Sequence, residues 1–391
     1  MTVEATDASR ISRAHRAMPW KRGQTTGQQD DLKFKLGKRL GHGSFGQVFL
    51  ARDVQTGEDL AVKVEHPVGK HSSLSFEARV LKRLCAPGFP RVHSLGKEGC
   101  YHLLAMELLG PSLESIFNKC GRKFGLKTLL MLAEQMVRRL EYVHSKGYVH
   151  RDIKPENFLI GRGERRNVVH LIDFGLAKRL EPEPRFGSRR SLIGTARYAS
   201  ICAHEGVEQG CKDDLEALAY VLIYFALGEL PWQGLQAESK EEKHEKIMEL
   251  KRQLPAEELC KGCHDIFARF LQYAQGLKFQ ERPDYNFVYS LFSEAMITEG
   301  YQNDAQFDWL ALPEKNVSYS KQDPPQKGRS KSRRKSDEKG RAHSQMKRQV
   351  TPGQSAKTLC TSTKASSRER ETVKPGFLPS LFGCFSAPKQ G

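Results

Sequence analysis

Residues 1–31 are polar and aperiodic, and the pattern changes at Phe34. "FKLGKRL", "GQVFLARD" and "EDLAVKVE" read as strands separated by Gly-rich or Asp/Gly turns. "LSFEARVLKRL" (74–84) places apolar residues at helical spacing and carries Glu77 within it. "YHLLAMELL" (101–109) reads as another apolar strand. From Thr128 the period becomes helical, and "TLLMLAEQMVRRLEYVHSKG" ends at Gly147, a C-cap residue. "VVHLIDFG" returns briefly to strand, and the remainder to about Leu310 is helical in character, as in "DLEALAYVLIYFALG". A strand-rich front with one helix before a helix-rich back predicts an α+β, two-lobed fold. The expected limits are 32–312 for the folded part, with a first lobe over about 32–107 and a second over about 110–312.

Composition adds two disordered ends to this picture. Mean hydropathy is −0.57 over 391 residues, low for a single globule. After about Pro313 the chain is dominated by Ser, Thr, Lys, Arg, Gln and Pro, ending in the apolar patch "GFLPSLFGCF" (376–385). The formal net charge is +17, and residues 321–374 hold 16 Lys/Arg against 5 Asp/Glu. The excess therefore sits mostly in the tail and says little about partners of the folded part. No apolar run reaches 18 residues, and the N-terminus lacks an apolar targeting core. The nine cysteines read as reduced thiols, and Cys260 and Cys263 have no second Cys/His pair at metal-ligand spacing.

Candidate chemistry is concentrated in four places. "GHGSFGQV" supplies Gly41, Gly43, Gly46 and Val48, with a strand following it, as in a flap over nucleotide phosphates. On its own the motif is equally a tight turn. "LAVKV" puts Lys63 in an apolar strand, where it needs partners: phosphates and Glu77. "HRDIKPEN" (150–157) offers Asp152 as the carboxylate that accepts a hydroxyl proton and Asn157 as a metal-ligating amide. "DFG" (173–175) offers Asp173 as the main Mg²⁺ ligand.

Together these motifs resemble the eukaryotic protein kinases over roughly residues 34–310. Lys154 matches the Ser/Thr-kinase form of the catalytic loop, and Thr195 the threonine that braces it. "MELLGPSLESIF" (106–117), "IDFGLAKR", "GTARYAS", "DDLEALAYVLIYF", "LPWQGL" and "FDWL" resemble the casein kinase 1 family. That resemblance implies a monomeric Ser/Thr kinase using ATP and Mg²⁺ on protein substrates with acidic or phosphorylated residues upstream of the target. It implies Met106 as gatekeeper and the backbone of Glu107–Leu109 as adenine hinge. Leu40, Ser44, Ala61 and Leu159 join the implied ATP-binding residues. Arg197, Gly234 and Lys243 are implied as the phosphate- or acid-recognition set.

The sequence departs from the kinase pattern in places. "GTARYAS" (194–200) continues Ile201-Cys202 without the usual Ala-Pro-Glu, and Cys202 replaces the family's asparagine. The Leu176–Ile193 segment looks short but keeps Arg185, Arg189 and Arg190. Lys243 is flanked by Glu238, Glu241 and Glu242, which opposes phosphate selectivity. In the tail, "SKSRRKS" (330–336) reads either as a nuclear address or nucleic-acid contact, or as a solvated linker. Aromatic residues are not interleaved there, so sequence-specific nucleic-acid binding is not expected. Ser355, Thr358 and Thr361 are spaced for relayed phosphorylation, although basic neighbours oppose it. Cys384 beside the apolar patch is a candidate acylation site, giving peripheral membrane contact; a docking patch is the competing reading. The expected location is otherwise cytoplasmic. The competing functional class is a catalytically inactive scaffold acting through its tail; a nonspecific nucleic-acid binder is a third.

Overall fold

The computed structural model describes residues 25–26, 34–43, 46–66, 72–180 and 191–311, and these belong to one compact unit. The front half is a six-stranded antiparallel sheet. Its strands are β1 (Thr25–Thr26), β2 (Phe34–Gly43), β3 (Gly46–Asp53), β4 (Asp59–Glu65), β5 (Val92–Glu98) and β6 (Tyr101–Glu107), in the order β1-β2-β3-β4-β6-β5. Side chains alternate between sheet faces. Leu60, Val62 and Val64 of β4 enter an outer cluster with Phe34, Leu36, Leu103 and Ala105. Ala61 points the other way, into the larger core that continues through the helical half with Leu104 and Met106. Lys63, two residues on, must share the face of Ala61, so strand period alone aims it between the two halves.

Helix α1 (Ser73–Arg83) lies beneath this face, burying Leu74, Glu77, Ala78, Val80 and Leu81 at helical spacing. The Ser72 hydroxyl accepts from the Ser75 amide and caps its start. Glu65, at the end of β4, accepts from the Ser72 hydroxyl at 2.6 Å and from the Ser73 amide at 3.2 Å, tying α1 to the sheet.

The chain leaves the sheet at Glu107 and crosses at Gly110, whose amide donates to Ile160 O at 2.8 Å. A Cβ at Gly110 would stand 2.8 Å from the carbonyl oxygens of Ile160 and Gly161, so only glycine fits there. Then come α2 (Leu113–Lys119), α3 (Leu126–Ser145), β7 (Tyr148–Val149), β8 (Phe158–Ile160), β9 (Val169–Leu171) and β10 (Lys178–Arg179). They are followed by α4 (Ile201–His204), α5 (Cys211–Leu227), α6 (Lys240–Gln253), α7 (Ala256–Leu259), α8 (Ile266–Gly276) and α9 (Tyr285–Thr298). Helix α5 is buried from Cys211 to Phe225 on all sides, with Lys212, Asp213, Asp214 and Glu216 before the apolar run that starts at Ala217, and α3 and α8 pack against it. No helix among the described residues is long and apolar enough to cross a membrane.

The α+β arrangement of a sheet-rich front and a helical back is the one the pattern predicts. Three local expectations shift. The long helix begins at Leu126 rather than Thr128. Asp308 of "FDWL" explains this: its carboxylate accepts from the Gly125 amide at 2.6 Å, while its own amide donates to Thr128 Oγ1 at 3.1 Å. The strand expected over 101–109 stops at Glu107, where the chain turns toward Gly110. Strand β5, "VHSLGKE", was not anticipated; it is mixed in character and pairs with β6 through a turn at Gly99, φ +56°.

Candidate active site

Lys63 is 7% exposed and Glu77 1%, and their Nζ···Oε2 distance is 2.7 Å. The same ammonium lies 2.7 Å from Asp173 Oδ1. Burial would lower the Lys63 pKa, but the two carboxylates outweigh it and hold the group above its ordinary value. For Asp173, burial works upward, and Lys63 wins, keeping the carboxylate below the usual range. For Glu77, burial prevails and pushes it up. A lysine in an apolar strand is thus charged and doubly paired at neutral pH, with Asp173 more exposed than Glu77.

The "HRDIKPEN" loop links β7 to β8. Asp152 Oδ1 accepts from the Thr195 hydroxyl at 2.7 Å, and Oδ2 meets the Lys154 ammonium. Asn157 Nδ2 donates to the Asp152 backbone oxygen at 2.8 Å, so it is the amide oxygen of Asn157 that could ligate a cation. His150 Nε2 donates to Ile172 O at 2.9 Å, so this loop and the Asp173 turn are held together. Arg151 and Asp173 both adopt left-handed backbone, φ +69° and +66°. Such residues persist only where their surroundings hold them. Arg151 is held by its amide on Asp214 Oδ1 and by its Nε on Leu176 O, both at 2.8 Å.

Asp214 was not singled out from sequence. Its carboxylate accepts from the amides of His150 and Arg151, at 2.7 and 2.8 Å, and pairs with His144 Nε2 at 2.8 Å. Burial opposes its ionisation, but His144 and these amides keep its pKa low. The His144 pKa rises to about 9; burial works against the rise and is outweighed by the neighbouring Cys211 and Asp214. The available signal was Asp213-Asp214 in the first turn of a largely apolar helix, a costly place for acids unless they are used.

At the nucleotide end, Gly41, Gly43, Gly46 and Val48 form the β2–β3 hairpin, with Gly43 opposite Gly46. Gly46 has φ +139°, and a Cβ there would strike the Val64 carbonyl oxygen. Leu40 and Val48 are half-buried against the core that contains Ala61 and Met106; Leu109 is buried, and Leu159 is half-buried in β8. Ala61 pairs with Met106 across β4 and β6. The Glu107 side chain faces away from an adenine role: it binds Arg165 Nη2 at 2.5 Å and the Arg91 amide at 3.2 Å.

The remaining predicted residues divide. Arg197 is half-buried; its guanidinium lies 5.6 and 5.9 Å from the Tyr198 and Tyr224 ring centres, and Trp232 Nε1 donates to its carbonyl at 2.8 Å. Gly234 has φ +75° with open space where a Cβ would be. Lys243 is exposed in the first turn of α6. Cys202 is half-buried beside Lys212, and burial pushes its thiol up, away from a reactive thiolate. Ser44, Arg185, Arg189, Arg190, Ser355, Thr358, Thr361 and Cys384 lie outside the described residues.

A paired lysine, a carboxylate braced by a hydroxyl and an ammonium, and a carboxylate–amide pair for a hard cation form a phosphoryl-transfer set. Comparison with protein-family models agrees: the protein kinase domain matches residues 34–285, from β2 to the first residue of α9. Spanning more than half of the sequence and every paired residue just described from Lys63 to Asp214, that match establishes that this chain belongs to the protein kinase family, the phosphotransferases that use ATP and Mg²⁺.

Proposed function

We propose that the protein is a Ser/Thr kinase of casein kinase 1 type, acting on proteins with acidic or phosphorylated residues upstream of the target hydroxyl. The observation that carries this reading is the bracing of Asp152 by Thr195 and Lys154, with Arg197 two residues beyond Thr195. In this reading Asp152 orients the substrate hydroxyl and accepts its proton. Lys154 balances negative charge on the phosphoryl group in flight, and Lys63 holds the nucleotide phosphates. Asn157 and Asp173 would hold Mg²⁺, which when bound would neutralise negative charge on the phosphates. Positioning and electrostatics supply the rate enhancement.

Arg197 supports the substrate preference. Burial tends to lower its pKa, but Tyr198, Tyr224 and Glu156 around it hold it above the ordinary arginine value. A phosphate carries about −1.5 to −2 charge, and a guanidinium matches its oxygens in pairs. The inactive-scaffold reading is disfavoured because Lys63, Asp152, Asn157 and Asp173 are all present and mutually oriented. The deciding experiment is an ATP-dependent assay on one serine peptide, unprimed and with phosphoserine three residues upstream, beside its tyrosine counterpart. The expected order of kcat/KM is primed serine, unprimed serine, tyrosine. Equal rates on the two serine peptides would refute the phosphate preference, and a faster tyrosine peptide the residue class.

A further inference from the structure

The segment 194–200 ends without the Ala-Pro-Glu that usually closes a kinase activation segment, so its anchorage must come from elsewhere. Part of it comes from α5. The Ser200 hydroxyl donates to Asp213 Oδ1 at 2.6 Å, and the Ile201 amide donates to Glu216 Oε1 at 3.0 Å. More comes from α6 and its neighbours. Lys251, in its last turn, is 3% exposed, and its Nζ donates to Ala196 O at 2.9 Å and to Ala199 O at 2.6 Å. The same Nζ lies 4.7 Å from the Tyr220 ring centre and 5.0 Å from that of Trp232. His204 Nε2 also donates to Ala196 O, at 3.1 Å, while Trp232 Nε1 holds the carbonyl of Arg197. Three backbone carbonyls, those of residues 196, 197 and 199, are thus gripped from below.

A buried lysine is costly, and one without a carboxylate in hydrogen-bond reach more so. Burial draws the pKa of Lys251 down to about 7, against the pull of Glu216 on α5. Either protonation state keeps at least two N–H donors, enough for the two carbonyls. A leucine or methionine would fill the same apolar slot between Tyr220 and Trp232 without this cost. The amine is therefore explained by what it holds.

We propose that Lys251 is a positioning residue for the substrate-facing segment: by fixing the carbonyls on both sides of Arg197 it aims that guanidinium and sets affinity for the protein substrate. The inference rests on the reading of Arg197 as substrate-facing, but not on its preferring a phosphate.

Its test is steady-state kinetics of Lys251→Met and Lys251→Arg on the primed and unprimed serine peptides, with ATP varied separately. Lys251→Met is expected to raise the KM for peptide about tenfold, the scale of one lost hydrogen bond to a charged group, with the KM for ATP changed less than about twofold. Lys251→Arg, which keeps N–H donors, is expected to recover most of that loss. Peptide KM values within about twofold of wild type in Lys251→Met, or a fall confined to kcat, would overturn the proposal. If thermal melting shows Lys251→Met to be unfolded, Lys251→Gln, polar but too short to span both carbonyls, is judged by the same two outcomes. Equal treatment of both peptides by the wild type refutes the phosphate preference alone, because the peptide KM of the variant still decides the role of Lys251.

Discussion

At the residue scale the proposed chemistry rests on Asp152 and Lys63, and their surroundings predict how their removal is felt. Asp152 already holds Thr195 and Lys154, so Asp152→Asn keeps the size and part of the hydrogen bonding but cannot take a proton. The expected loss is about 10²–10⁴ in kcat with little change in the KM for ATP, measured under saturating nucleotide. Lys63→Met should remove activity and also stability, since it strands Glu77, a buried carboxylate, and deprives Asp173 of its partner. Breaking such a buried pair costs about 3–5 kcal/mol, to be read from urea unfolding. Both residues were legible in the sequence because motif spacing and strand period point to them. Asp214 and Lys251 were not. Each acts on backbone groups distant in sequence; the acidic pair Asp213-Asp214 hints that a carboxylate is used, but nothing local says which groups it or Lys251 holds.

At the scale of elements, the catalytic loop is fixed by the junction of α3 and α5 through His144 and Asp214. The raised pKa of His144, about 9 in the fold against about 6.5 unfolded, makes this junction pH-dependent. Because the folded value is the higher, the stabilisation is fully present below about pH 6.5. It is lost as pH rises through about 9. The expected observation is that wild type exceeds His144→Gln in stability by about 3 kcal/mol near pH 6, with the gap closing toward pH 9–10, followed by urea denaturation at each pH. Taking the difference between the two proteins cancels Lys251, whose lowered pKa acts in the opposite sense over the same range. The end of the activation segment offers a second test. Gly194 has φ +99°, and a Cβ there would strike the Arg151 carbonyl oxygen. Gly194→Ala should therefore displace Thr195 from Asp152, lowering kcat by at least about tenfold while ATP binding persists. Strands β3, β4 and β6 and helices α1 and α3 were readable from period. Strand β5 was not, since its pairing with β6 rather than its own mixed composition makes it a strand.

For the whole molecule, charge and chemistry separate along the chain. Residues 321–374 hold +11 of the net +17, whereas the paired groups of the site lie between Lys63 and Asp214. Nonspecific binding to duplex DNA or anionic vesicles should therefore weaken steeply with salt and disappear when residues 321–391 are removed, as salt titrations of both proteins would show. The sequence by itself determined the α+β order of elements and marked the candidate phosphate-handling residues, because hydrophobic period and motif spacing are properties of neighbours along the chain. It also marked the absence of Ala-Pro-Glu after "GTARYAS", but not what replaces it. Only the tertiary structure decided that. Asp213, Glu216, Trp232 and Lys251, from 13 to 55 residues away in sequence from the groups they hold, converge on one short segment from α5, α6 and the loop between them. Hydrogen bonds between residues so far apart are set by how helices meet, and that geometry follows from burying the whole core rather than from any local pattern.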